Sequence, residues 1–108
     1  MHATKAGRFV GDVRELYEHA LRSCRSMGLR VDEGSCGKGA FDLTASETPR
    51  PALTFWRVRI RITAEKMGDD CDLVIRGESL PGSQFQPDHN ASKVDALMGL
   101  LSEHPSTR

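Results

Sequence analysis

The stretch from Leu53 to Glu78, LTFWRVRIRITAEKMGDDCDLVIRGE, decides how the rest of the chain is read. Trp56, Val58, Ile60 and Ile62 occupy every second position, with Arg57, Arg59, Arg61 and Thr63 between them. That is the period-2 pattern of a strand with one buried face. Beyond the turn-forming KMGDD, Cys71, Leu73 and Ile75 alternate with Asp72, Val74 and Arg76, so the two runs are expected to form one long β-hairpin. With residues 65 and 70 opposed across the turn, Ile62 faces Leu73 and Ile60 faces Ile75, while Arg59 and Arg61 face Arg76 and Val74. Both strands then agree on the core face, and a slip of one residue would turn every arginine inward.

Working outward on the N-terminal side, Asp12 followed by Glu15 resembles a capping box. Val13, Leu16, Tyr17, Ala20, Leu21, Cys24 and Met27 then recur at three- and four-residue spacing, which predicts an amphipathic helix. Gly28 stands where a left-handed C′ residue ends such a helix. Leu29, Val31 and Glu33 alternate with Arg30 and Asp32. After the glycine-rich GSCGKG of residues 34–39, Phe41, Leu43 and Ala45 alternate with Asp42, Thr44 and Ser46. This predicts two more strands joined by a tight turn, followed by a loop through Pro49-Arg50-Pro51. Residues 1–8 lack periodicity and are expected to be a loose end, with Phe9 and Val10 able to add a short strand.

Past the hairpin, Gly77 to Asn90 reads as a surface loop. Asn90 or Ser92 can cap a last helix with an apolar stripe of Val94, Leu97, Met98 and Leu101, ended by Pro105. The expected fold is two-layer α+β: a four-stranded antiparallel meander with two helices on one face, in the order α-β-β-β-β-α, with the short N-terminal strand as an addition. Residues 9–104 make one domain, flanked by the loose 1–8 and a tail at 105–108. The strand with Trp56, Val58 and Ile60, and the Asp88, Asn90, Val94, Leu97, Leu101 pattern, resemble small helix-grip-like α+β domains of uncharacterised bacterial families. The resemblance implies a fold and carries over no catalytic residue.

Lysine plus arginine number 15 and aspartate plus glutamate 15 among 108 residues, so no net field steers the chain toward nucleic acid or anionic membrane. No apolar run approaches the roughly 20 residues of a membrane span, and no secretory h-region precedes the first helix. Cys24, Cys36 and Cys71 form neither an even framework nor a C-x-x-C pair, which fits a reducing compartment and makes cytoplasm the expectation.

Chemical readings compete with plain structural ones. GSCGKG lacks the spacing of a phosphate loop, because Asp32 and Gly39 stand where that motif needs Gly and Ser or Thr. Cys36 beside Lys38 has thiolate chemistry available, yet no histidine is placed to act as its base. Asp69, Asp70 and Asp72 lack the further ligands of a calcium loop. An enzyme, a metal and a cofactor are therefore not expected. The remaining candidate is a basic band, with Arg57, Arg59, Arg61 and Arg76 on the open sheet face and Phe55 at its margin. Arginine with a nearby aromatic suits a protein surface or single-stranded nucleic acid, whereas Asp32, Asp42 and Asp72 on the same face would neutralise much of the band by cross-strand ion pairs and leave it a plain solvated face. The expected role is a non-enzymatic interaction module, with self-association among its uses. The alternative is a small apolar ligand held between sheet and helices.

Overall fold

The computed structural model describes residues 2–47, 58–79 and 87–101. In chain order its elements are β1 (His2–Val10), α1 (Val13–Ser26), β2 (Leu29–Cys36), β3 (Ala40–Glu47), β4 (Val58–Met67), β5 (Asp70–Ser79) and α2 (Pro87–Leu101). The five strands form one antiparallel sheet in the order β1-β5-β4-β3-β2. Thus β2 to β5 make the expected meander, and β1 returns to the free side of β5. Both helices cover the same face. α1 lies over β2 and β3, α2 over β1 and β5, and the two helices also meet each other and β4.

The β4–β5 hairpin has the expected faces in a register moved by two residues. Met67 pairs with Asp70, Ile62 with Ile75, Ile60 with Gly77, Arg61 with Arg76 and Arg59 with Glu78. Alternation fixes which face is buried and is blind to a slip of two, so the turn decides. Gly68 takes φ +66°, while among the described residues no non-glycine has a positive φ. A two-residue Gly68-Asp69 loop with positive φ at its first position alone matches the strand twist. Trp56, which the sequence places in the core, lies outside the described residues.

The loose end expected for residues 1–8 is instead most of the nine-residue β1, paired from His2 opposite Glu78 to Val10 opposite Asp70. Its inward positions are Ala3, Lys5, Gly7 and Phe9, a mixture with little hydrophobic contrast. Backbone bonding makes this strand, and its small residues let α2 come close: a Cβ at Gly7 would meet the Met98 sulfur at 3.3 Å. The span predicted as a loop from Gly77 also holds regular structure at both ends, because β5 continues to Ser79 and α2 begins at Pro87, ahead of the Asn90 or Ser92 cap; residues 80–86 lie outside the described residues. Proline suits a first helical turn, where its missing N–H is no loss.

One buried cluster holds the layers together. Val58, Ile60, Ile62 and Ala64 of β4 and Cys71, Leu73 and Ile75 of β5 pack with Phe41, Leu43 and Ala45 of β3. Val13, Leu16, Ala20 and Cys24 of α1 and Val94, Leu97, Met98 and Leu101 of α2 close it from the other side. α1 starts at Asp12, whose carboxylate accepts from the Arg14 amide at 3.3 Å, and ends at Gly28, φ +75°. His19 Nε2 lies 3.1 Å from the Leu100 carbonyl oxygen, a polar tie between the helices.

Candidate functional site

The sheet face opposite α1 and α2 is built from the positions between the core residues, and strand pairing sorts them into rows. One row runs Arg30, Ser46, Arg59, Glu78; the next Glu33, Thr44, Arg61, Arg76, Thr4; the next Ser35, Asp42, Thr63, Val74, Ala6; the last Ala40, Glu65, Asp72, Arg8. Of the residues singled out from the sequence, Arg59, Arg61 and Arg76 are exposed on this face. Phe55 and Arg57 lie outside the described residues. A groove of about 1120 Å³ opens over β2 to β4, with Arg30, Asp32, Glu33, Arg59 and Arg61 along it. A smaller concavity of about 420 Å³ includes Thr63, Glu65, Asp72 and Val74.

Arg61 and Arg76 face each other directly, an unfavourable like-charge pair on adjacent strands. Arg61 turns diagonally to Asp42 instead, with Nη2–Oδ2 at 2.6 Å and Nε–Oδ1 at 3.2 Å. This two-point bond and its charge hold the Asp42 carboxyl below the usual carboxylate range and raise the Arg61 guanidinium in turn. Across the sheet, Arg8 of β1 binds Asp72 at 2.9 Å. The aspartates therefore neutralise part of the basic band, as their placement in sequence implied, although Arg8 falls in the segment read as loose.

A β-bulge between Val31 and Glu33 reshapes the β2 edge. The extra residue, Asp32, accepts from Arg30 Nε at 3.1 Å and from the buried Ser46 hydroxyl at 2.7 Å. The bulge also moves Glu33, read as alternating with Leu29 and Val31, onto the outer row opposite Thr44. It turns Gly34 inward opposite Leu43, where a Cβ would collide with the Tyr17 hydroxyl. The Tyr17 ring then stands edge-on to Phe41, centroids 5.3 Å apart. No sequence signal marked the bulge, because its charged residues fit either face of an edge strand. Among the described residues Arg59 has no ion-pair partner, although Glu78 lies opposite it.

The cysteines are all reduced and separate. Burial pushes the Cys24 thiol up to about 11 and raises that of Cys71, which donates to the Gly11 carbonyl at 3.4 Å. Cys36 is half-buried at the end of β2, beside the Gly37-Lys38-Gly39 turn. Among the described residues no three His, Cys, Asp or Glu side chains are gathered as metal ligands, and no helix is long and apolar enough to cross a membrane.

No family model matches the sequence, and no curated protein does. Among solved structures the chain is similar to that of TTHA0849 from Thermus thermophilus, at 10% identity over 95% of each chain with a TM-score of 0.46. It is also similar to that of Ara h 8.0201, at 11% identity over 94% of this chain and 98% of the other, with a TM-score of 0.41. At these scores the likeness is one of outline alone. The α+β class stands on the strand pairing and shared core described above.

Proposed function

We propose that this chain is a non-enzymatic protein-interaction module whose binding surface is the outer face of the sheet. The observation that carries this reading is the groove over β2 to β4, which presents an exposed Arg59, unpaired among the described residues, between the paired Arg61 and Arg30. An arginine exposed on a strand offers a planar set of donors to a carboxylate or carbonyl. Paired neighbours of both signs around it suit a mixed-charge protein surface better than a polyanion. A small apolar ligand between sheet and helices has less in its favour, since the described core residues pack together in that layer and the groove opens on the other side.

The test compares the wild type with Arg59→Glu/Arg61→Glu. Molar mass is measured by light scattering, and proteins retained from a lysate of the source cells are compared by mass spectrometry. Loss of a retained protein, or of self-association, on charge reversal supports the reading. Retention and mass unchanged by the reversal would show the face to be solvated surface only.

A further inference from the structure

The outer face is polarised along its strands. On β4 and β5 the row Arg61, Arg76 is followed by Thr63, Val74 and then by Glu65, Asp72. A basic row and an acidic row thus flank a small, partly apolar one, each two residues away, about 7 Å along the strand. Val74 in the middle row is 37% exposed, one of two large hydrophobic side chains so exposed among the described residues. Glu65 in the acidic row has no ion-pair partner among them.

Two copies can bring such faces together about a two-fold axis lying between the sheets, and charge chooses its direction. An axis parallel to the strands would lay each row on itself, setting Arg61 and Arg76 against arginines. An axis perpendicular to the strands, passing over Thr63 and Val74, lays the basic row on the acidic row. Arg61 then stands over Glu65 of the second copy on β4, and Arg76 over its Asp72 on β5. The equal two-residue offsets bring both pairs into place together, and symmetry repeats them. Side chains of this length span the roughly 10 Å between packed sheets; Val74 meets its own copy at the centre, and Asp42 of the same row, its charge offset by Arg61 of its own chain, meets its copy on β3.

We infer that the partner of the outer face is a second copy of this chain, docked strand-antiparallel about a two-fold axis at the Thr63–Val74 row. This rests on reading that face as the binding surface and adds to it the partner and the geometry. The molecule measures 43 × 21 × 20 Å, so the face is limited to about the 800 Å² per partner of a standard specific interface. Because charged pairs make its contacts, the dimer is sensitive to salt.

Sedimentation velocity from about 1 µM to about 1 mM protein, at about 0.05 M and about 0.5 M salt, tests this, with thermal melting to confirm that each variant folds. The wild type should dimerise with rising concentration, and less so at high salt. Val74→Arg sets two like charges on the axis and should weaken the dimer about tenfold or more. Arg61→Glu and Glu65→Arg should each weaken it about fivefold, and Arg61→Glu/Glu65→Arg should return it to within about twofold of wild type, because the swapped charges meet again. A dimer indifferent to Val74→Arg, or swapped charges that fail to restore it, overturns the geometry. A wild type monomeric throughout, whose capture of another protein depends on Arg59 and Arg61, overturns the homodimer and leaves the binding surface standing. A monomer whose captured proteins ignore those arginines overturns both.

Discussion

β4 carries two surfaces on one backbone. Its inward side chains, Val58, Ile60, Ile62 and Ala64, are at most 5% exposed, while Arg59, Arg61 and Glu65 between them stand in solvent. The inward set has both helices packed on it, and among the described elements the outward set meets its neighbours on the sheet alone. The contrast separates stability from recognition. Apolar burial contributes whether or not any partner exists, whereas exposed ion pairs add little to folding and remain available for binding.

The largest effect that could break this comparison is at Ile60. Ile60→Ala should cost about 2–5 kcal/mol, read from urea midpoints with an unchanged m-value, while Arg59→Ala should stay within about 0.5 kcal/mol of wild type. Equal costs would mean that the two faces are not energetically distinct.

A second measurement sharpens the inner side through pH. The folded state holds the Cys24 proton more tightly than the unfolded chain, whose thiol titrates near 9.0. The linked stability is therefore complete below that pH and declines as pH rises toward about 11. The total should be about 2–3 kcal/mol. Cys71 is raised in the same direction, so Cys24→Ala should remove part of the alkaline slope and Cys24→Ala/Cys71→Ala more of it. A slope unchanged by either variant would place its source elsewhere.

The smallest effect belongs to the outer face. A double-mutant cycle on Arg61 and Asp42 should give a coupling under about 1 kcal/mol at neutral pH. Because the folded Asp42 carboxyl lies below its unfolded value, this contribution is present above about pH 3.9 and is lost as pH falls through the folded value. A coupling that persisted undiminished in strong acid would contradict that assignment.

Much of this contrast was legible in the sequence, and the parts that were not share a cause. The β4 alternation and the stripes of α1 and α2 showed the core face, because burial there depends on side-chain type at a fixed period. The two-residue register change was hidden because alternation repeats every two residues. β1 was hidden because a strand lying closely under a helix uses Ala3 and Gly7 where other strands use valine or isoleucine. On the outer face, Asp42 and Arg61 could be assigned to one side but not to one bond. The Asp32 bulge, which sets the Arg30 and Ser46 contacts, has no hydrophobic signature.

The position of β1 bears on how the molecule is made. Of the five strands, the first to leave a ribosome pairs with the last: His2 waits for Glu78, and Lys5 for Asp95, 90 residues later, with Nζ and Oδ1 2.9 Å apart. Until then β1 is a polar segment with no ladder partner and no helix above it, so its small residues give it little tendency to collapse early. α1 and the β2–β3 hairpin can form from local contacts as they emerge, but joining β1 to β5 closes a long loop, the slow kind of step in folding. Closure of the fold is therefore a late event in synthesis, and until β1 docks, β5 carries an outer edge open to other strands.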